Sequence, residues 1–205
     1  MKTGTVLLVC ALVLSGAATA KTRPIPDRCS PGSDDTHYFP QVSFWSDDLG
    51  DSSTQPRALS EYLAAMNEPP LGCAIDRDVD SFRLLWVGDH PLSIRITRRD
   101  NVHELKLVEL DSGNLQAPGK ILRSFTKTIN TAEWKQAVAA LSGVPLMFPN
   151  HINIGATAWV LEGVYHRHYT MGWGENPGLG AVGQLFMQLA GYTGPADKIT
   201  KSLAP

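Results

Sequence analysis

Alternating apolar and polar positions predict a group of β-strands in the middle of the chain. Leu92, Ile94 and Ile96 alternate with polar side chains, which is the pattern of a strand with one buried face. Similar runs that favour β-structure occupy residues 82–87, 102–110 and 120–129. Because short polar turns separate the first three strands, we expect antiparallel pairing.

A hairpin and a helix near the C-terminus are expected to be the best-ordered part of the protein. Strands at 158–162 and 169–173 flank a polar tip at 163–168. After Asn176 and Pro177, which suit the start of a helix, apolar residues recur at steps of three and four until Gly191. The inward side of this unit is predicted to form the structural core, through Trp159, Leu161, Val182, Phe186 and Leu189.

Two more helices are predicted, one before and one after the four strands. The first begins at residue 53 or 54 with Pro56 in its first turn, and it ends before Pro69. The second begins at Asn130, with Glu133 three positions on as in a capping box, and it ends at Gly143. This order of elements predicts an α+β fold, a mainly antiparallel sheet of about six strands with about three helices packed on one face.

The N-terminus has the features of a signal peptide. Lys2 precedes an apolar run at 6–14 that is too short to span a membrane, and Ala18-Thr19-Ala20 has the form that signal peptidase cleaves after. Cleavage after Ala20 would leave an irregular lead-in at 21–53, a single domain at 54–194 and a tail at 195–205. We therefore expect a periplasmic or secreted protein.

Cysteine use agrees with export. Cys10 lies inside the apolar run, which argues against the alternative of a lipidated cysteine, and cleavage leaves Cys29 and Cys73. In an oxidising compartment this pair predicts a disulfide, and closing a loop of roughly 45 residues would stabilise the fold by about 4 kcal/mol. The alternative of a catalytic thiol would need a neighbouring histidine and an orienting partner, and nothing near either cysteine suggests them.

Charge and hydropathy exclude some partners. Loss of Lys2 with the signal peptide leaves 17 basic residues (18 − 1) against 20 acidic ones, a net charge of −3. This balance predicts neither a nucleic-acid footprint nor binding to an anionic membrane surface. No later segment is long and apolar enough for a membrane span.

Three residues are candidates for chemistry, namely Glu162, His166 and His168. With His151 they could form a zinc set, whereas histidines at the tip of a hairpin would be solvated and separated. Glu162 could be a general acid, or it could pair with an arginine of the sheet. The acidic run at 76–80 lacks the glycine and the final glutamate of a calcium loop. We predict no catalytic residue, no metal ligand and no cofactor.

The chain resembles a family of uncharacterised exported proteobacterial proteins. The resemblance covers roughly residues 82–191 and is carried mainly by Trp159-x-Leu161-Glu162-Gly163, followed by Tyr169 and by Pro177 before a leucine-rich last helix. Two positions depart from the family pattern. A Tyr-His pair of the family corresponds here to Tyr169-Thr170, and Trp173 is followed by Gly174-Glu175-Asn176-Pro177 in place of Ser-Pro. The resemblance implies fold and compartment and assigns no reaction.

Three functions are compatible with these features. The first is a non-catalytic envelope protein that binds a protein partner, such as an inhibitor or an immunity-type protein. The second is a small periplasmic hydrolase, assisted by zinc at His166, His168 and Glu162. The third is a structural component of an envelope assembly. A pocket that joins the histidines to Glu162 would favour the hydrolase, and an exposed apolar patch at a loop edge would favour the other two.

Overall fold

A computed structural model describes residues 38–39, 54–72, 74, 79–113, 117–142, 144, 158–174 and 177–193. The predicted signal peptide, Cys29, Cys73 and His151 lie outside the described residues. Within them the chain forms, in order, α1 (Thr54–Ala65), β1 (Asp80–Val87), β2 (Leu92–Arg99), β3 (Val102–Leu110), β4 (Ile121–Thr128), α2 (Thr131–Ser142), β5 (Ala158–Tyr165), β6 (His168–Gly174) and α3 (Pro177–Ala190).

The six strands form one antiparallel sheet in the order β4-β3-β2-β1-β5-β6. β1 lies in the interior of the sheet, between β2 and β5, and all eight of its residues are buried. The predicted α+β fold, with six strands and three helices, is confirmed. Among the described helices, none has the length and apolar character needed to cross a membrane.

The helices cover both faces of the sheet, so the prediction that they pack on one face is wrong. α2 and α3 enclose one apolar cluster with residues such as Leu84 and Ile94. α1 encloses a second cluster with Leu85 and Val108 on the opposite face. The physical reason lies in β1, where consecutive residues are apolar. A strand of that kind needs an apolar cover on each side.

The five predicted core residues are buried together in the cluster beneath α2 and α3. Trp159 lies directly opposite Trp86 in the register of β5 and β1, and the two ring centroids are 6.2 Å apart. Its ring also lies so close to α3 that a Cβ atom added at Gly183 would come within 2.7 Å of it. Trp159 therefore fixes the distance between the sheet and α3.

The hairpin of β5 and β6 has a shorter tip than predicted. Its turn consists of His166 and Arg167, whose φ angles of 47° and 66° belong to the left-handed region, as in a type I′ turn. The expected loop at 163–168 is therefore wrong, because Gly163 to Tyr165 continue β5 and His168 begins β6. Gly163 allows close packing of the sheet, since a Cβ atom there would lie 2.6 Å from the Phe82 ring.

The predicted ends of α2 and α3 are confirmed where the structure describes them, whereas α1 ends at Ala65, before a turn with Asn67 at a positive φ, and not at Pro69 as predicted. At the start of α2, Glu133 N–H donates to Asn130 Oδ1 at 3.0 Å and Asn130 N–H donates to Glu133 Oε2 at 2.7 Å. This reciprocal pair is the capping box. After α3, Gly191 has a φ of 69° and its N–H donates to the Gln188 carbonyl at 3.0 Å, as expected of a glycine after a helix. Asn176 and Gly143 lie outside the described residues.

Candidate functional site

The structure places the three candidate residues in two separate environments. Glu162 is buried in β5, on the face covered by α1, whereas His166 lies in the exposed turn and His168 at the exposed start of β6. The His166 backbone N–H donates to Asp80 Oδ1 at 2.7 Å, which attaches the turn to β1. Within the described residues, no group of three or more His, Cys, Asp or Glu side chains could hold a metal ion. The sheet therefore does not bring Glu162 together with the two histidines.

Glu162 instead ends a row of charged side chains across four strands. Lys106, Arg95, Arg83 and Glu162 are successive direct partners in β3, β2, β1 and β5. Direct partners in a sheet share a face, so the row lies on the side of α1. Three neighbouring cations would be unfavourable on their own, and the row therefore needs a second anion.

Glu68 is that second anion. It follows α1, where Asn67 has a φ of 52° and the Glu68 N–H returns to the Leu63 carbonyl at 2.9 Å. Its side chain is 1% exposed. Oε2 accepts a hydrogen bond from Arg95 Nε at 2.7 Å, and Oε1 lies 2.9 Å from Lys106 Nζ.

Arg83 has a partner for each of its guanidinium nitrogens. Nε donates to Glu162 Oε2 at 2.9 Å, and Nη2 donates to the same oxygen. Nη1 donates to the Pro69 carbonyl at 2.7 Å and lies 3.8 Å from Glu68 Oε2. The Tyr169 hydroxyl donates to the other Glu162 oxygen at 2.8 Å. The hypothesis that Glu162 pairs with an arginine of the sheet is confirmed.

The pKa values of Glu162 and Glu68 are shifted in opposite directions. Burial raises the pKa of Glu162 above its ordinary value, because the attraction of Arg83 and the hydrogen bonds from Arg83 and Tyr169 offset only part of the desolvation. Burial also acts to raise the pKa of Glu68, but Arg95, Arg83 and Lys106 outweigh it, so this pKa is lowered. The folded state therefore favours the ionised form of Glu68, and the row joins the end of α1 to the sheet.

The described sheet has two edge strands, β4 and β6, and the edge formed by β4 is a second feature with functional potential. β4 pairs with β3 on one side, and among the described residues no strand pairs with its other side. Six of its eight residues are exposed, including Ile121 at 47% and Leu122 at 56%. Exposed apolar residues on a long unpaired strand are the features that allow another chain to add to a sheet.

The register shows which backbone groups point outwards from β4. The Ile129 N–H donates to the His103 carbonyl at 3.0 Å. Because residues of an antiparallel strand alternate between bonding to the neighbouring strand and pointing away from it, Ser124, Thr126 and Thr128 direct their N–H and C=O groups away from β3. The edge therefore presents three consecutive sets of backbone donors and acceptors.

The charge of this edge is positive. Lys120, Arg123 and Lys127 lie in or beside β4, and no acidic residue occurs between Asp111 and Glu133. Arg123 Nε lies 3.4 Å from Glu109 Oε2. Lys120 and Lys127 form no ion pair with any residue in the described part of the chain.

Sequence reasoning missed Glu68, Lys106 and the β4 edge. An arginine within the apolar run of β1 was the one available signal for a buried ion pair, because a buried guanidinium requires an acidic partner. Glu68 carries no such signal, since its partner Arg95 is 27 positions away. The sequence does not show that β4 is an edge strand, because the position of a strand in the sheet depends on the order in which the strands pair.

Comparison with protein-family models, with curated proteins and with solved structures gave no significant match. The function of the chain is therefore inferred from its own residues and geometry.

Proposed function

We propose that this protein is an exported, non-catalytic binding module that receives an extended segment of a partner protein along β4. The open edge of β4 is the observation that carries the proposal. A module of this kind would act as an inhibitor or an immunity-type protein of the envelope, by occupying a segment of another protein.

Strand addition suits the geometry of β4. An added strand would bond to the outward N–H and C=O groups of Ser124, Thr126 and Thr128, and each bond contributes about 0.5–1.5 kcal/mol net. Natural edge strands are protected by short length, by proline, by lysine, by a bulge or by a covering loop. β4 has Lys127 and a bulge at one end, opposite Glu109. It is nevertheless eight residues long and contains no proline, so the regular part of the strand beyond the bulge still favours a role in pairing.

Export is part of the proposal. It is supported by the predicted signal peptide with cleavage after Ala20, by the even pair Cys29 and Cys73, and by the resemblance to exported proteobacterial proteins. The proposed compartment is the periplasm or the exterior of the cell.

Two substitutions at one outward position test the function. Thr126→Pro removes an N–H that makes no bond to β3, and proline is tolerated at such positions of an edge strand. Thr126→Val alters the side chain and keeps the N–H, so it is the matched control. Both variants should unfold cooperatively, as measured by circular dichroism in a urea series.

Co-purification from the envelope fraction of the native host, followed by mass spectrometry, gives the readout. A partner that binds by strand addition should be retained by the wild type and by Thr126→Val, and it should be lost with Thr126→Pro. A photo-crosslinking residue at Ser124 should join the same partner to β4. If Thr126→Pro retains the partner fully while still folded, the partner binds elsewhere and the proposal is wrong.

A further inference from the structure

We infer that the segment received by β4 is acidic, with two carboxylates four positions apart and an apolar residue midway between them. This inference rests on the proposed function and names the chemistry of its partner. It is derived from the side chains that β4 presents on the face covered by α2 and α3.

Three alternate residues of β4 share that face. Arg123, Phe125 and Lys127 lie opposite Glu109, Leu107 and Leu105 of β3. Leu105 and Leu107 belong to the cluster beneath α2 and α3, and Phe125 packs against it. A strand added to β4 would place its own residues j, j+2 and j+4 directly opposite these three side chains, because side chains alternate with a period of two.

Lys127 is the strongest determinant of partner charge. It is half-buried, and it has no ion pair among the described residues. Opposite charges that face each other across two strands stabilise the pair, whereas like charges disfavour it. A carboxylate opposite Lys127 would therefore be favoured, and a lysine there would be rejected.

Arg123 and Phe125 define the other two positions. The Nε of Arg123 approaches Glu109, and the planar guanidinium carries further N–H groups that can bind a second carboxylate. Phe125 packs against the core and is partly exposed. An apolar side chain opposite it on an added strand would bury more of its surface.

A second copy of the chain fits this edge less well. Pairing two β4 strands would bring together two sets of the same cations, Lys120, Arg123 and Lys127, with no acidic residue on either strand. Like charges raise the free energy of such a dimer. An acidic segment satisfies the same backbone groups with complementary charge.

Titration of the nitrogen-15-labelled full chain with synthetic peptides tests the inference by NMR. The acidic probe is the capped peptide Thr-Glu-Thr-Val-Thr-Glu-Thr, and the controls replace both glutamates by glutamine or by lysine. The acidic peptide should shift the amide resonances of residues 121–129 and bind more tightly than the glutamine peptide. Higher ionic strength should reduce this difference, because salt screens exposed charges.

Charge reversal supplies the matched variants. Lys127→Glu should weaken the acidic peptide on the order of tenfold, since it turns an attraction into a repulsion of similar size, and it should favour the lysine peptide. Lys135→Glu makes the same change of charge at an exposed position of α2 and should leave peptide preference unchanged.

Each outcome decides the inference. Equal binding of the glutamine and acidic peptides, abolished in both cases by Thr126→Pro, would overturn the acidic partner and leave strand addition intact. No shift in β4 with any peptide would also overturn it, while co-purification of a partner sensitive to Thr126→Pro would still support the proposed function. Self-association that depends on β4, detected by light scattering and unaffected by the acidic peptide, would identify a second copy as the occupant.

Discussion

The junction between α1 and the sheet should depend strongly on the charge of Glu68. Glu68→Gln keeps the size of the side chain and removes its charge, which leaves Glu162 as the single carboxylate among three cations. Removing one partner of a buried ion pair costs about 3–5 kcal/mol. The side chains of Arg95 and Lys106 are 15% and 21% exposed, so water can rehydrate them in part. We therefore expect a loss of about 2–3 kcal/mol in the free energy of unfolding.

Urea denaturation at pH 7 measures this loss, with Glu104→Gln as the matched control. Glu104 lies on β3 two positions from Lys106 and is exposed, so its substitution should cost less than about 0.5 kcal/mol. Equal shifts of the two midpoints would refute the reasoning, because they would show that Glu68 contributes no more than a surface carboxylate.

The pH dependence separates charge from packing. The pKa of Glu68 is lowered from its ordinary value of 4.5, because three cations outweigh its desolvation by burial. In acid the Glu68 carboxylate therefore binds more protons in the unfolded chain than in the folded chain. The stabilisation that it provides is present above the ordinary pKa and is lost as the pH falls through the pKa of the folded state. The difference in the free energy of unfolding between wild type and Glu68→Gln should become smaller as the pH falls. A difference that does not change with pH would show that the ionised carboxylate is not its cause.

Further predictions concern the row, the core, the hairpin and the cysteines. Glu162→Gln should show the opposite pH dependence, because the pKa of Glu162 is raised in the folded state. Its free energy of unfolding should fall further below that of the wild type as the pH is lowered, and urea midpoints measured across pH would check this. Trp159→Ala should cost about 3–5 kcal/mol by leaving a cavity beneath α3, and a near-neutral midpoint would contradict the packing. Arg167→Gly should raise the thermal midpoint, because glycine adopts a φ of 66° without strain. Cys29 and Cys73 should be bridged, so thiol titration of the mature protein, unfolded without reductant, should find no free sulfhydryl, and finding two would contradict the bridge.

Much of the secondary structure could be predicted from the sequence, because its causes are local. Alternation in β2, the reciprocal cap of Asn130 and Glu133, and Gly191 after α3 each depend on residues within a few positions of one another. The prediction placed the hairpin tip correctly but made it too long. A glycine such as Gly163 can belong to a loop, as predicted, or it can allow close packing within a strand. Its actual role, close packing against Phe82, depends on a residue of another strand.

Tertiary structure decided which surfaces and charges meet. The apolar stripe of α1 does not state which face of the sheet it will cover, and the apolar run of β1 required a helix on each side. The register of four strands aligned Lys106, Arg95 and Arg83 with Glu162, and the end of α1 supplied Glu68. The same order of strands left β4 at the edge. Local propensity determines the elements, whereas pairing between distant segments determines which polar groups are buried together and which remain open to a partner.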